Sequence, residues 1–324
     1  MIFENLPTVP RSEELIDKAF SRAARAGHAK QGVDAQESML QTAANILSDN
    51  LSNVVTSWPD FDDIDPFYRE LADAIVVNED LNVDTLRQHL SEVMWASRQC
   101  EKIKNDYHGR VIHADPDTAK KLRQQAFARL ADVTEDVEEN LLRLADAREE
   151  LRKLPDIRPD EPTIVVAGYP NVGKSSFVNR VTNARNEIAS YPFTTKQLRV
   201  GHIEVDHIRY QLVDTPGLLD RPAEERNAIE NQAVSALTHL ADVVLFLVDP
   251  SGNCGYPLAD QLELRDEVVE KFDVPVLTVC NKSDVSRDVE ADHYMSVETG
   301  EGVDELVTLA VDVSGYEPEL PFEN

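Results

Sequence analysis

Gly168, Gly173, Lys174 and Ser175 stand at the spacing Gly-x-x-x-x-Gly-Lys-Ser within "AGYPNVGKSSF". Residues of these types at this spacing can cradle a row of phosphates. The stretch Gly168, Tyr169, Pro170, Asn171, Val172 and Gly173 would form a loop whose N–H groups face phosphate oxygens, continued by the N–H groups that open the next helix through Ser176. Lys174 can reach the β- and γ-oxygens, and the Ser175 hydroxyl can ligate Mg²⁺. Alone, such a pattern also arises by chance. Its weight comes from three further motifs downstream.

Forty residues on, Asp214, Thr215, Pro216 and Gly217 close an apolar run, "YQLV". Asp214 there suits a carboxylate that holds a magnesium-bound water, and the Gly217 N–H suits a γ-phosphate. Asn281, Lys282 and Asp284 of "CNKSD" come after another apolar run. An aspartate that accepts from both N1–H and the 2-amino group of guanine rejects adenine, which would leave the carboxylate without donors. Ser296 and the Val297 backbone of "YMSVETGEG" can back the base from its far side. Between the first two motifs lies "SYPFTT", with Phe193, Thr194 and Thr195. Thr195, in preference to Thr194, is the expected further magnesium ligand, and its segment would loosen once the γ-phosphate is lost. Four motifs in this order and spacing imply a site for GTP and GDP. Ser175, Thr195 and Asp214 form its expected metal set, and Asn171, Lys174, Thr195 and Gly217 its expected catalytic set. Leu218, however, stands after Gly217 where many GTPases carry a water-orienting glutamine.

The elements that must position these residues are legible as a change of period. "TIVVAG", "HIRYQLVDT", "ADVVLFLVDP" and "VPVLTVCN" are short β-rich runs separated by helical segments, the alternation of a mostly parallel sheet with helices on both faces. Six strands are expected, one of them antiparallel, where "LRVGHIEV" pairs with "HIRYQLV". Upstream of "LPDIRPDEP", three prolines in nine residues, the pattern is helical. Ser12 is a plausible cap for "RSEELIDKAFSRAARA". "AQESMLQTAANILSDNLSNVVTSW" and "DTLRQHLSEVMWASRQCEKIKNDY" repeat the behaviour around an acidic, proline-containing connection, "PDFDDIDPF". Apolar residues recur on one stripe from Asp117 to Leu154, which predicts a single helix of about 55 Å and hence a bundle. The expected fold is an all-α helical bundle domain over 1–158, an α/β P-loop GTPase domain over 159–314, and an acidic tail over 315–324. Trp58 and Trp95 are expected in the bundle core.

Composition narrows the classes. Sixty acidic residues against 32 basic give a formal charge of −28, which repels phosphates and the chain's own compact state at low ionic strength. Only 11 of the basic residues are lysine against 21 arginine. This balance suits a halophilic source. The acidic residues are spread along the length, without a block that would mark an interaction tail. No basic-then-apolar leader and no run of about 20 apolar residues is present, so the expected setting is cytoplasmic, with no membrane partner. Cys100, Cys254 and Cys280 lack metal-ligand spacing and read as small buried hydrophobes.

On these residues the chain resembles the translation-factor-like GTPases. More narrowly it is similar to the Obg-related branch, with "GYPNVGKS" at the phosphate loop and "YPFTT" at the switch. "VDPSGNCGYPLADQ" at 248–261, "VGH" at 200–202 and the helical region containing "WASRQCEKIKNDY" resemble the nucleolar GTP-binding (Nog) subfamily. A commoner alanine is replaced by Val297, and the long C-terminal extension of eukaryotic members is not in the sequence, which fits an archaeal form. The resemblance implies a GTPase of large ribosomal subunit assembly, engaging precursor rRNA and ribosomal proteins through the helical domain, with monomer as the plain expectation. It also implies an answer for Leu218. In relatives with an apolar residue at that position, a potassium ion held partly by the phosphate-loop asparagine, here Asn171, takes over charge stabilisation. A purely loop-shaping role for Asn171 stands beside that reading.

Two function classes remain. One is a GTP-hydrolysing assembly factor; the other is a slow-turnover GTP-dependent binding module in which hydrolysis is incidental. Residues 1–156 hold 19 basic and 30 acidic residues, which argues against general RNA affinity. The one basic concentration, from Lys102 to Arg129 with Tyr107 and His108, reads equally as an RNA contact or as a solvated helix face.

Overall fold

The computed structural model describes residues 3, 6–76, 82–152, 157–182, 187–190, 197–216 and 218–316. Among these residues, six helices precede the first strand: α1 (Ser12–His28), α2 (Gly32–Thr56), α3 (Pro66–Val76), α4 (Val83–Ile112), α5 (Pro116–Glu135) and α6 (Glu138–Leu151). By contact the chain divides into two units, one of residues 2–63 and 76–152, the other of 64–75 and 153–324. The segment carrying α3 therefore groups with the later residues, although it precedes the proline-rich boundary. Tyr68 on α3 donates its hydroxyl to the Ile157 carbonyl, and Glu70 accepts from His239 at 3.0 Å. Nothing in "PDFDDIDPF" suggested this helix. Its start is nonetheless locally encoded, with Pro66 in the first turn and the Asp65 carboxylate accepting from the Phe67 N–H at 2.8 Å.

In the first unit α2 packs against α1, α4 and α5, and α4 against α5 and α6. Small residues let the helices approach closely: Ala43, Ala44, Ala96, Ala119 and Ala126 are fully buried, and a Cβ on Gly27 would fall 2.2 Å from Met39 Cε. Ser97 on α4 donates to the Ser48 carbonyl of α2 at 2.9 Å, satisfying both groups in the core. Ser12 is the first helical residue rather than the cap. Arg11 takes the capping position, and its N–H is met by Glu14 Oε2 at 3.3 Å. The single helix expected from Asp117 to Leu154 is two, broken at Asp136 and Val137. The Thr134 hydroxyl bonds back to the Leu130 carbonyl at 2.8 Å, a contact that bends helices, and four acidic residues, Glu135, Asp136, Glu138 and Glu139, crowd the junction. Trp58 is buried as expected, but Trp95 is 43% exposed.

The second unit holds β1 (Thr163–Ala167), α7 (Lys174–Val181), β2 (Glu187–Ser190), β3 (Gln197–Val205), β4 (Ile208–Asp214), α8 (Ala228–Leu240), β5 (Val243–Val248), α9 (Leu258–Lys271), β6 (Val276–Cys280), β7 (His293–Tyr294) and α10 (Val303–Ser314). The strands form one sheet in the order β2-β3-β4-β1-β5-β6-β7. The expected mostly parallel sheet is present, with β3 antiparallel to β4 through Val200 and Val213, and a further four-residue edge strand, β2, pairs antiparallel with β3. β1 and β5 are buried along their whole length, as central parallel strands covered by helices on both faces must be. Gln211 on β4 is fully buried and fastens the stretch before β1, accepting from the Arg158 N–H at 2.9 Å and donating to the Arg158 carbonyl at 2.6 Å.

All three cysteines are buried and unpaired. Burial pushes the Cys100 thiol up to about 12 and the Cys280 thiol up to about 11, so neither offers a thiolate at neutral pH. Among the described residues no helix is long and apolar enough to cross a membrane.

Candidate functional site

The carboxyl ends of β1, β4 and β6 bring the separated motifs together, as the parallel order β4-β1-β5-β6 requires. After β1 the chain turns sharply over 168–173 into α7. Gly168 has φ +128, and a Cβ there would lie 2.4 Å from the Leu247 carbonyl oxygen. Gly173 has φ +106, and a Cβ there would lie 2.2 Å from Asn281 Nδ2. Both glycines are thus fixed by backbone sign and by space together.

Asn281 is buried and works in two directions. Its Nδ2 donates to the Val172 carbonyl at 2.7 Å, and its Oδ1 accepts from the Val297 N–H at 3.1 Å. Lys282, at φ +56, donates to the Asn171 carbonyl at 3.2 Å and to Asp249 Oδ2 at 2.5 Å. A cavity of 350 Å³ lined by Gly173, Ser176, Asn281, Asp284, Ser296 and Val297 opens beside these contacts. A second, of 470 Å³, is lined by Pro170, Lys174, Ser175, Pro216 and Asp220. The two share Asn171, Gly173 and Ser176. One has the size for a base, the other carries a cation, hydroxyls and helix N–H groups suited to phosphates.

Lys174 is buried and donates to the Gly168 carbonyl at 2.6 Å and the Tyr169 carbonyl at 2.9 Å. Burial lowers its pKa, opposed by Asp220 and Asp214. The Ser175 hydroxyl donates to Asp214 Oδ2. Asp214 is fully buried, its Oδ1 has no hydrogen-bond partner among the described residues, and burial raises its pKa against the Ser175 hydrogen bond and the charge of Lys174. A hydroxyl beside a buried carboxylate with an orphaned oxygen is a donor set that fits a hydrated Mg²⁺. Thr215 is turned away, its hydroxyl bound to the Val166 carbonyl at 2.9 Å. Leu218 is buried at 1% exposure, so position 218 offers no side chain to a water. Phe193, Thr194, Thr195 and Gly217 lie outside the described residues.

Motif spacing alone misses the support beneath this site. Asp249 at the end of β5 is fully buried and accepts from the Ser251 N–H at 2.9 Å, the Cys254 N–H at 2.8 Å and Lys282. Burial works against its ionisation, but the Lys282 and Ser251 hydrogen bonds outweigh it and hold the carboxyl below its usual range. Gln261, also fully buried, accepts from the Asp249 N–H at 2.8 Å and donates to the Tyr256 carbonyl at 3.0 Å. This braces the loop 249–256, from which Tyr256 packs on Tyr169 with centroids 4.6 Å apart and the Cys254 carbonyl meets Asn171 Nδ2 at 3.5 Å. Its signal is the run "VDPSGNCGYPLADQ", legible as a resemblance but not as a brace. In the helical unit Tyr107 is buried, with Arg110 over its ring at 4.8 Å and Arg129 at 5.9 Å, so its ring is not presented for stacking on a base.

Residues 3–158 match the family described as NOG1 N-terminal helical domain, and residues 163–282 match the family described as 50S ribosome-binding GTPase. The chain is 36% identical over 293 residues to an uncharacterized protein of Methanocaldococcus jannaschii, covering 87% of this chain and 81% of that one. It is 35% identical to nucleolar GTP-binding protein 1 of Arabidopsis thaliana, covering 87% of this chain but 43% of that one, so it spans under half of that relative's length. Among solved structures it is similar to a Plasmodium falciparum chain described as nucleolar GTP-binding protein 1, 34% identical with TM-score 0.45, covering 50% of this chain and 90% of that chain.

Proposed function

The chain belongs to the Nog family of GTP-binding proteins, and from that premise we propose that it hydrolyses GTP to GDP and phosphate as a switch in assembly of the large ribosomal subunit. One observation carries the reading. Asn281 ties the loop bearing Asp284 to the phosphate loop at Val172 and to the base-side backbone at Val297. Base and phosphates are therefore gauged from one fixed point.

In this reading Asp284 accepts from N1–H and the 2-amino group of guanine, and Ser296 and Val297 back the ring. Lys174 exchanges the Gly168 and Tyr169 carbonyls for β- and γ-oxygens. Ser175 and Thr195 would ligate Mg²⁺, and Asp214 would hold a water bound to it. Bound there, the metal would supply positive charge against that of the phosphates. Gly217 offers its N–H to the γ-phosphate. Because Leu218 is buried, Asn171, an exposed residue that lines both cavities, would hold a potassium ion that supplies the charge relief. The same burial favours a second reading, a chain that turns over slowly until a partner supplies the missing group. The working setting is a monomer in a salt-rich archaeal cytoplasm, engaging ribosomal precursor RNA and proteins through the helical domain.

GTP turnover in molar KCl against molar NaCl, with and without large ribosomal particles, tests this. Potassium-dependent turnover that rises further with particles and loses its potassium response in Asn171→Ala is expected. An unchanged potassium response in that variant removes the cation from the reading. Negligible rates in all four conditions remove hydrolysis as the function.

A further inference from the structure

Both tryptophans of the chain line one cavity in the helical unit. It measures 510 Å³ and is walled by Trp58 and Phe61 from the segment after α2, and by Leu90, Met94, Trp95 and Arg98 from α4. The α4 residues fall at helical spacing, so they form one face of that helix. Trp58 is 6% exposed and its indole N–H has no hydrogen-bond acceptor among the described residues. Trp95, by contrast, is 43% exposed at the cavity's side. A buried donor without an acceptor is costly to leave unmet. An exposed indole beside it is the type of group on which binding energy concentrates.

The charge around the cavity discriminates between occupants. Residues 57–63 carry Asp60, Asp62 and Asp63 and no basic residue. Asp60, Asp62 and Asp63 are exposed. Arg87, also on the cavity wall, is paired with Asp62, which leaves Arg98 as the remaining cation among the lining residues. Asp60 and Asp63 thus stand against Arg98 among the described residues, a small negative balance that disfavours a phosphate backbone and favours cationic groups.

We propose that this cavity is a docking site for a basic peptide segment of a partner protein. One large apolar side chain of the segment seats between Trp58 and Trp95, a backbone carbonyl accepts the Trp58 N–H, and flanking lysines or arginines face the aspartates. Among the described residues the site shares none with the two cavities beside the phosphate loop.

Because the cavity holds the only two tryptophans, intrinsic fluorescence of the full chain reports its occupation directly. The probes are a lysine- and arginine-rich peptide with one central leucine, the same peptide with serine in place of leucine, and an oligouridylate of like length. The leucine peptide is expected to bind with a change in tryptophan emission, and the serine peptide to bind at least about tenfold more weakly. Anisotropy of a labelled leucine peptide should show an affinity loss of about tenfold or more for Trp95→Ala. Trp58→Phe, which keeps an aromatic wall but removes the N–H, should lose about three- to tenfold. Neither variant should alter GTP affinity, which serves as the check on folding. Equal binding of the leucine and serine peptides, tighter binding of the oligouridylate, or no binding of either peptide each overturns the proposal.

Discussion

Asn281 Nδ2 donates to the Val172 carbonyl oxygen at 2.7 Å across 109 residues of sequence. The same side chain accepts from Val297 at 3.1 Å, so three loops share one amide. Replacing it by alanine strands the buried Val172 carbonyl, at about 1–3 kcal/mol, and frees the half-buried Val297 N–H at a smaller cost. Asn281→Ala should therefore lower GTP and GDP affinity alike by at least about tenfold, measured by titration calorimetry. Affinities within about twofold of the parent would show that the loops hold their positions without it.

Asp284 is exposed on the wall of the smaller cavity, where a carboxylate can accept two guanine donors. Asp284→Asn replaces one acceptor with a donor. GTP affinity should fall by about 10²-fold or more while xanthosine triphosphate, which presents an oxygen in place of the 2-amino group, gains. Competition binding with both nucleotides reads this directly. Retained GTP preference would place the base elsewhere.

The buried Asp214 carboxyl lies above its ordinary range because burial disfavours the charge. The folded chain thus binds that proton more readily than the unfolded chain. Its contribution to stability is fully present below the unfolded value of about 3.9 and is lost as pH rises through the folded value. At neutral pH, without nucleotide or Mg²⁺, Asp214→Asn should raise the thermal midpoint, by roughly 2–4 °C for each kcal/mol recovered. The same variant should lose the extra stabilisation that Mg²⁺ adds to bound GTP. A variant that melts lower than the parent in chelator would contradict the cost assigned to Asp214.

Lys282 and Asp249 meet at 2.5 Å, with the carboxylate fully buried and the lysine side chain 26% exposed. Lys282→Ala leaves that carboxylate without its cation. The loss should be about 1–3 kcal/mol, below the figure for a wholly buried pair because the ammonium reaches solvent. The Asp249 carboxyl is held below its ordinary range, so its stabilisation is present above the unfolded value near 3.9 and fades as pH falls through the folded one. Denaturant melts should accordingly show the gap between parent and variant narrowing in acid. A gap that is constant with pH would assign the loss to packing alone.

The glycines of the phosphate loop, the cation next to them and the carboxylates that close the strands were legible because their chemistry is contained in a few consecutive residues. Gly168 and Gly173 are dictated by backbone sign, and β1 and β5 by uninterrupted apolar runs. The same local rules failed where a distant partner intervened. Trp95 has the composition of a core residue, yet 43% of it meets solvent. Tyr107 sits in a basic stretch as if to stack on a base, yet Arg110 and Arg129 cover it.

The sequence by itself determined that motifs suited to a guanine nucleotide occur in one order on an alternating β/α frame, after a helical region. Periodicity and motif spacing are properties of neighbouring residues, and they need no knowledge of who packs where. Only the tertiary structure decided that Asn281 gauges both loops, that Asp249 and Gln261 brace the loop behind them, that Leu218 is buried and that α3 groups with residues beyond the proline-rich stretch. Each of these depends on a contact between residues far apart in the chain, where a shift of a few ångströms changes a hydrogen bond into an unmet donor.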